Sequence, residues 1–293
     1  MKIRRSRSDL IFDILNLGVC IVIFLLVLYP LVYVVSASIS SPLAVLQGRM
    51  VLWPIEPRIS AYTDVFKHQD LMMGYRNSLI LVIFGTTTNI TLTFFGAYIL
   101  SRKDLFGRTF LTMLFALTMF FSGGMIPTYL VVKKVGLLNS MWAMILPGAI
   151  SMYNMVVMRT YFQTAIPDSL IESAEADGAS QLYIMFRIIL PLSHSIIAVI
   201  CLFYGVAHWN QYFQALLYLT SRVKYPLQLF LREILLLSQV QELVDTQGFA
   251  DQVLQGEAIK YALIIVASVP VMVVYPFIQR HFVKGVMLGA IKG

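Results

Sequence analysis

Long apolar runs, separated by short clusters of polar and turn-forming residues, set the pattern of this chain. Leu17–Val35 and Tyr261–Ile278 contain no charged residue, over lengths that cross a hydrocarbon core of about 30 Å. Four further runs have the same character. Six spans are therefore predicted, at approximately 12–36, 77–101, 109–132, 140–158, 195–219 and 259–280. They are too continuous for porin-type strands, which alternate over about ten residues. The predicted fold class is an all-α integral membrane bundle forming a single domain over 1–293. A loop at 160–192 joins spans four and five, and longer segments at 40–75 and 220–257 lie on the opposite side.

Composition agrees, with 58% hydrophobic and 13% charged residues, where a soluble domain carries about a quarter charged. Lys2, Arg4, Arg5 and Arg7 precede the first run, as in a signal peptide. That run exceeds the roughly 7–15 residues of an h-region, so it is read as a span. The same charges favour a cytoplasmic N-terminus. Six crossings then return the C-terminus to the cytoplasm, where Arg280, Lys284 and Lys292 agree, as do Arg102, Lys103 and Arg108 in the first inner loop. The net charge of +7 is thus mostly topological. No basic stripe is interleaved with aromatics on a soluble face, so nucleic acid is not an expected partner. Cys20 and Cys201 both sit inside spans, too isolated for a metal site, and read as packing residues.

Within the spans, Thr86, Thr87, Thr88, Asn89, Thr91 and Thr93 lie between Gly85 and Gly96. Small and hydroxylated residues let helices approach closely, and a polar pathway would use the same residues. Ser122-Gly123-Gly124 with Pro127 predicts a broken third span, tolerated beside protein or a wet cavity. Pro147-Gly148, Pro270 and Pro276 predict further kinks. On the outer side, Ile59 to Met73 fits a short amphipathic helix with Tyr62, Val65 and Phe66 on one face. Leu227–Val244 fits another, after which Gln247-Gly248-Phe249 turns the chain back.

The loop from Ile166 to Pro191 carries the most information. Pro167 suits a first helical turn, and Ser169 with Glu172 has capping-box spacing. Ala174 and Ala176 keep one side slim, and Asp177-Gly178 breaks the rod because glycine adopts positive φ freely. Ala179 to Ile189 resumes as helix, ending at Leu190-Pro191. A bent acidic helix pair with a thin alanine surface suits a cleft in another protein.

Glu172-Ser173-Ala174, Asp177-Gly178-Ala179, Phe186 and Ile189-Leu190-Pro191 together resemble the EAA loop of binding-protein-dependent ABC importers. The ending Gln279-Arg280, Phe282-Val283, Gly285 and Gly289-Ala290-Ile291-Lys292-Gly293 is similar to the tail of maltose-type permeases. Phe121–Pro127 resembles the branch that imports complex and acidic oligosaccharides such as alginate. The resemblance covers essentially the whole chain and implies the type I importer permease fold in the bacterial cytoplasmic membrane. It implies that Glu172, Ser173, Ala174, Asp177, Gly178, Ala179 and Pro191 couple to an ATPase. The tail at Gly289, Ala290, Ile291, Lys292 and Gly293 would reach toward an interface between two ATPases. Ser173 stands where the family prefers alanine, and Ser195 where a second proline often follows. The implied partners are a second, similar permease, two ATP-binding cassette ATPases, a periplasmic or extracellular solute-binding protein and an oligosaccharide. Gln247, Gly248 and Phe249 fall in the segment that would meet the binding protein. No cofactor is expected on this chain; without a GxxxxGK[ST] loop, ATP and Mg belong to the partner subunits.

Trp209, Asn210, Gln211, Tyr212 and Gln214 place amides and aromatics in span five, with Asn210 and Gln214 one turn apart. This is the chemistry a sugar needs; interhelical bonding and an aromatic belt would use it too. An alternative class is an ion- or proton-coupled secondary transporter, which needs ionisable residues near mid-membrane. The spans offer only His208. No carboxylate pair, metal ligand set or Ser/His arrangement within the spans supports a membrane-embedded hydrolase.

Overall fold

A computed structural model describes residues 7–243 and 250–290. The first helix, α1 (Arg7–Ser38), is followed by two short helices, α2 (Pro42–Leu46) and α3 (Ser60–Lys67). A 33-residue helix, α4 (Gln69–Ser101), comes next. Two helices, α5 (Arg108–Phe120) and α6 (Met125–Lys134), flank the glycine pair. The turn α7 (Trp142–Ile145) leads through a 3₁₀ turn at Leu146–Gly148 into α8 (Met152–Ala165). The acidic loop holds α9 (Asp168–Ala176) and α10 (Gln181–Tyr183), a π-helical stretch at Ile184–Ile189, and α11 (Leu190–Leu192). Then follow α12 (His194–Trp209), α13 (Phe213–Tyr218), α14 (Leu227–Leu243) and α15 (Ala250–Ala290).

Among the described residues, three helices are singly long and apolar enough to cross a membrane: Ser8–Ser38, Gln69–Ser101 and Ile259–Phe277. Two bent pairs raise the number to five. Helices α5 and α6 meet at 112°, and Gln181–Leu192 meets α12 at 79°. The first bend falls where Gly124 adopts a φ of 83°, as the Ser-Gly-Gly cluster predicted. Six spans were predicted, but 140–158 does not form one rod. Pro147 lies in the 3₁₀ turn and helix restarts at Met152, capped by Ser151 Oγ on Asn154 N–H. The fifth predicted span is also interrupted, between Trp209 and Phe213. Pro270 and Pro276, expected to kink the last span, both lie inside α15, which continues through them.

The chain divides into two compact units: residues 1–68 with 233–268, and 69–232 with 269–293. In the first, Ala37, Val45 and Met50 form a small core against Tyr33, Ile55 and Tyr261. Ser38 Oγ and Tyr62 Oη share a 2.7 Å hydrogen bond, and Val65 is buried. Phe66, expected on the same face, is exposed. Helix α1 leaves its apolar residues from Leu10 to Val27 exposed, the condition of a helix bathed in lipid or covered by another subunit.

In the second unit, α4 packs on both α8 and α12. Their shared core contains Phe94, Ala97, Met155, Met158, Ile184 and Ile200. Small residues bring the backbones together. A Cβ on Gly96 would meet Met155 Sδ at 2.6 Å, and one on Gly85 would meet His208 Nε2 at 2.6 Å. The threonine run of α4 therefore serves packing at least in part: Thr93 Oγ1 and Tyr204 Oη are 2.7 Å apart.

Candidate functional site

Two places in the second unit concentrate the predicted functional residues: the acidic loop and the broken end of α12. In the loop, Pro167 itself is the N-cap of α9 with ψ 133°, and no side chain caps the helix. The Ser169–Glu172 capping box is thus not formed, because the helix starts at Asp168, two residues before the start the box would set. Asp168 in the first turn complements the helix dipole instead. At the other end, Ala179 N–H donates to Ala174 O (2.9 Å) and Gly178 N–H to Glu175 O (3.0 Å), with Gly178 at φ 80°. This is the Schellman arrangement, which needs a left-handed residue at the position Gly178 fills.

The motif turns Ala174 and Ala179 inward. Both pack, with Ile171, against the core of α4, α8 and α12. The alanine surface expected to meet a partner is therefore only partly available. Glu172, Ser173, Ala176, Asp177 and Gly178 are exposed, and Leu182 and Tyr183 continue the exposed face. Pro191, expected to stop the second helix, lies one residue before its end at Leu192, where the chain bends into α12. The π-helical stretch ahead of it changes the hydrogen-bond register, which eases the clash a proline makes one turn back.

Charged residues fix the loop to the end of α4. Arg102 donates to Asp104 (3.0 Å) and to Glu175, and Lys103 Nζ to Asp168 Oδ2 (2.6 Å). Gln181 Nε2 donates to Glu175 Oε1 (2.9 Å), and Tyr98 Oη to Gln181 Oε1 (2.7 Å). Hydrogen bonds from Gln181 and then Arg102 hold the Glu175 carboxyl below its ordinary range. The Arg102 hydrogen bond does the same for Asp104. Sequence reasoning assigned Arg102 and Lys103 to topology alone. Besides the local Asp104, their partners Glu175 and Asp168 sit about 70 residues away, and no local pattern pairs those.

The predicted sugar-facing residues are divided by the structure. Helix α12 ends at Trp209, so Asn210 and Gln214 do not share one helix. Both nevertheless line a cavity of about 390 Å³, together with Gln211, Asn89, Asn154 and Tyr204. Trp209 faces elsewhere, buried edge-on to Tyr75 at 5.6 Å, and lines an apolar cavity of about 370 Å³. Tyr212 is half exposed, with the Arg232 guanidinium 5.6 Å above its ring.

His208 is buried at the cavity wall. Asn89 Nδ2 lies 3.1 Å from its Nε2, its Nδ1 lies 3.2 Å from Gln211 Oε1, and Gln211 Nε2 donates to Met144 O at 2.9 Å. Each amide donor meets an acceptor in turn, so the directions fit a neutral ring protonated at Nδ1. The Asn89 Oδ1 atom is left buried with no hydrogen-bond partner among the described residues. Asn89 belongs to the run for which a polar pathway was the alternative to packing, whereas Asn154 was missed as a cavity residue, although an amide inside an apolar span is a recognisable signal. Gln247–Phe249 and Ile291–Gly293 lie outside the described residues, and Gly289 and Ala290 end α15. No group of three metal-ligating side chains occurs among the described residues.

The model of the binding-protein-dependent transport system inner membrane component family matches residues 89–288. The chain is 42% identical over 288 residues to the polygalacturonan/rhamnogalacturonan transport system permease protein YtcP of Bacillus subtilis (strain 168), covering 97% of this chain and 99% of that protein. It is 38% identical to protein LplC of the same organism over 98% of this chain and 97% of that one. Among solved structures, it is similar to a chain of a bacterial ABC transporter involved in the import of the acidic polysaccharide alginate. The TM-score there is 0.86 at 35% identity, covering 95% of this chain and 99% of that one.

Proposed function

The chain belongs to the binding-protein-dependent transport system inner membrane component family, and from that premise we propose that it is a permease subunit importing acidic oligosaccharides. It is a multi-pass protein of the bacterial inner membrane and a transport component rather than an enzyme. The observation that carries the substrate class is likeness along the whole chain to a polygalacturonan/rhamnogalacturonan permease and to an alginate importer chain.

The working assembly in this proposal holds a second permease, two ATPases that bind ATP and Mg, and a solute-binding protein. Both termini lie in the cytoplasm. The exposed surface of Glu172, Ser173, Asp177 and Gly178 seats in an ATPase cleft, while Ala174 and Ala179 hold that surface on the core; Pro191 lies just before the bend into α12. The tail at Gly289–Gly293 reaches the ATPases, and Gln247–Phe249 meets the binding protein. ATP-driven closure displaces α9, and the packed helices turn this into rigid-body tilting between inward- and outward-facing states.

The cavity of Asn89, Asn154, Asn210, Gln211 and Gln214 contributes to the sugar path. Its lining carries amides and hydroxyls and no lysine or arginine, so it suits hydroxyls rather than carboxylates. Coupling to a proton gradient finds little support, because His208 is tied at both ring nitrogens by amides. Reconstitution with companion permease, ATPases and binding protein tests the proposal. Uptake of labelled uronate oligomers should stop on ATP depletion with the proton gradient intact. Uptake that follows the gradient without ATP would overturn it.

A further inference from the structure

We infer that α4 is a transmission rod, clamped at its inner end to the coupling helix α9 and at its outer end to the segment Arg222–Phe230, with Arg102 as the positioning residue of the inner clamp. The inference rests on the proposed coupling role of α9 and goes beyond it, by naming the path the displacement takes.

At the inner end, hydrogen bonds close a ring. Tyr98, on the last turn of α4, donates to Gln181; Gln181 donates to Glu175 on α9; and Arg102, just past the end of α4, donates to Glu175. Arg102 N–H bonds back to Ile99 O, so the arginine backbone continues the helix end. Its side chain is only 15% exposed, and a planar fork reaching two carboxylates fixes orientation as well as distance. Lys103 with Asp168 holds the start of α9. The helix is thus gripped near both of its ends.

The outer end is gripped as firmly, by different chemistry. Asn77 Nδ2 donates to Val223 O (2.7 Å) and Tyr225 O (3.0 Å). Leu227 N–H donates to Ser78 Oγ (2.9 Å), and Arg222 Nε to Asp70 Oδ2 (2.9 Å). Gly74 lets the Phe230 ring sit where a Cβ would be 2.6 Å from Cδ2. Asn77 and Ser78 are both buried, so their bonds are shielded from water, while the Arg222–Asp70 pair lies at the surface. The clamps sit on one uninterrupted helix of 33 residues, about 50 Å long at 1.5 Å per residue. An unbroken helix held at both ends moves as one body. A shift of α9 therefore reaches Arg222–Phe230, and an event at Arg222–Phe230 reaches α9.

The experiment uses the assembled transporter in nanodiscs. It reads the ratio of ATPase activity with oligogalacturonate-loaded binding protein to activity without it. Arg102→Gln should lower the ratio about five-fold or more, the lower end of measured couplings between sites, with basal activity retained. Glu175→Gln, which keeps the size of the side chain and removes its charge, should do the same in assembled transporter confirmed by subunit content. The double variant should be no worse than either single one, because both remove the same link. Arg102→Lys should recover part of the ratio, and Asn77→Leu at the far end should lower it. Unchanged ratios in Arg102→Gln and Glu175→Gln, or losses that add in the double variant, would overturn the inference. Gly178→Val separates the two levels. If it abolishes stimulation while the clamp variants do not, the rod alone falls; if it too has no effect, the coupling role of α9 falls first.

Discussion

Replacing Gly85 by alanine tests the close approach of α4 and α12. The added Cβ would stand 2.6 Å from His208 Nε2 and 2.8 Å from both Cδ2 and Cε1, so it meets the face of the whole ring edge rather than one atom. The imidazole has little freedom to withdraw, being buried and held by Asn89 on one nitrogen and Gln211 on the other. Overpacking of this kind costs about 1–3 kcal/mol. Losing one of the buried hydrogen bonds adds about 1–3 kcal/mol, while alanine regains about 1 kcal/mol of helix propensity. A net loss of about 1–5 kcal/mol is expected, which lowers the melting temperature by roughly 2–4 °C per kcal/mol.

Gly96→Ala is the matched control. Its Cβ also meets an atom at 2.6 Å, but that atom is Met155 Sδ and the next lies at 3.8 Å. A thioether swings aside at little cost, so this variant should melt close to the wild type. Thermal unfolding of the purified transporter, followed by tryptophan fluorescence, measures both. Adding His208→Ala to Gly85→Ala should remove most of the steric loss, a non-additive result. Gly85→Ala melting at or above wild type, with Gly96→Ala the more damaged, would refute the reasoning.

Other outcomes follow from the same structure. Gly178→Val forces a β-branched residue into a left-handed conformation at about 1–2 kcal/mol, and should uncouple ATP hydrolysis from uptake; normal uptake would count against the role of the loop. Tyr204→Phe leaves Thr93 Oγ1 and Ser151 N–H without their shared partner and should cost about 1–3 kcal/mol, read as a lowered melting temperature. Asp104 and Glu175 have carboxyls held below their ordinary range, so their contribution is present at neutral pH and fades as pH falls through those lowered values. The melting difference between wild type and Arg102→Gln should persist at pH 5 and close only below about pH 4; a gap that closes above pH 5 would contradict the assignment. Asn89→Leu should reduce sugar uptake while leaving basal ATPase activity in place, and unchanged uptake would remove the amide cavity from the path.

The acidic loop was legible because its signals are local. Gly178 after Asp177 foretold the break, and the glycine has the positive φ that a Schellman end requires. The Ser-Gly-Gly cluster likewise foretold the bend between α5 and α6. Local signals failed where two of them competed. Pro167 displaced the Ser169 capping box by starting the helix two residues early, and after a π-helical stretch the helix ended at Leu192, one residue beyond Pro191. The amide cavity was half visible: Asn210, Gln211 and Gln214 stood out in the sequence, whereas Asn89 looked like part of a packing run.

Hydrophobic pattern and turn chemistry, both short-range, by themselves determined that the chain is a helical membrane protein with a bent acidic loop, since an apolar run or a glycine constrains its own backbone whatever lies nearby. Only the tertiary structure decided which side of α9 remains exposed, which carboxylates Arg102 and Lys103 pair with, and that Trp209 and Asn210 look into different cavities. Those outcomes depend on residues tens of positions apart meeting at the surface of α4, and hydrogen bonding and steric fit act on distance in space, which sequence order does not carry.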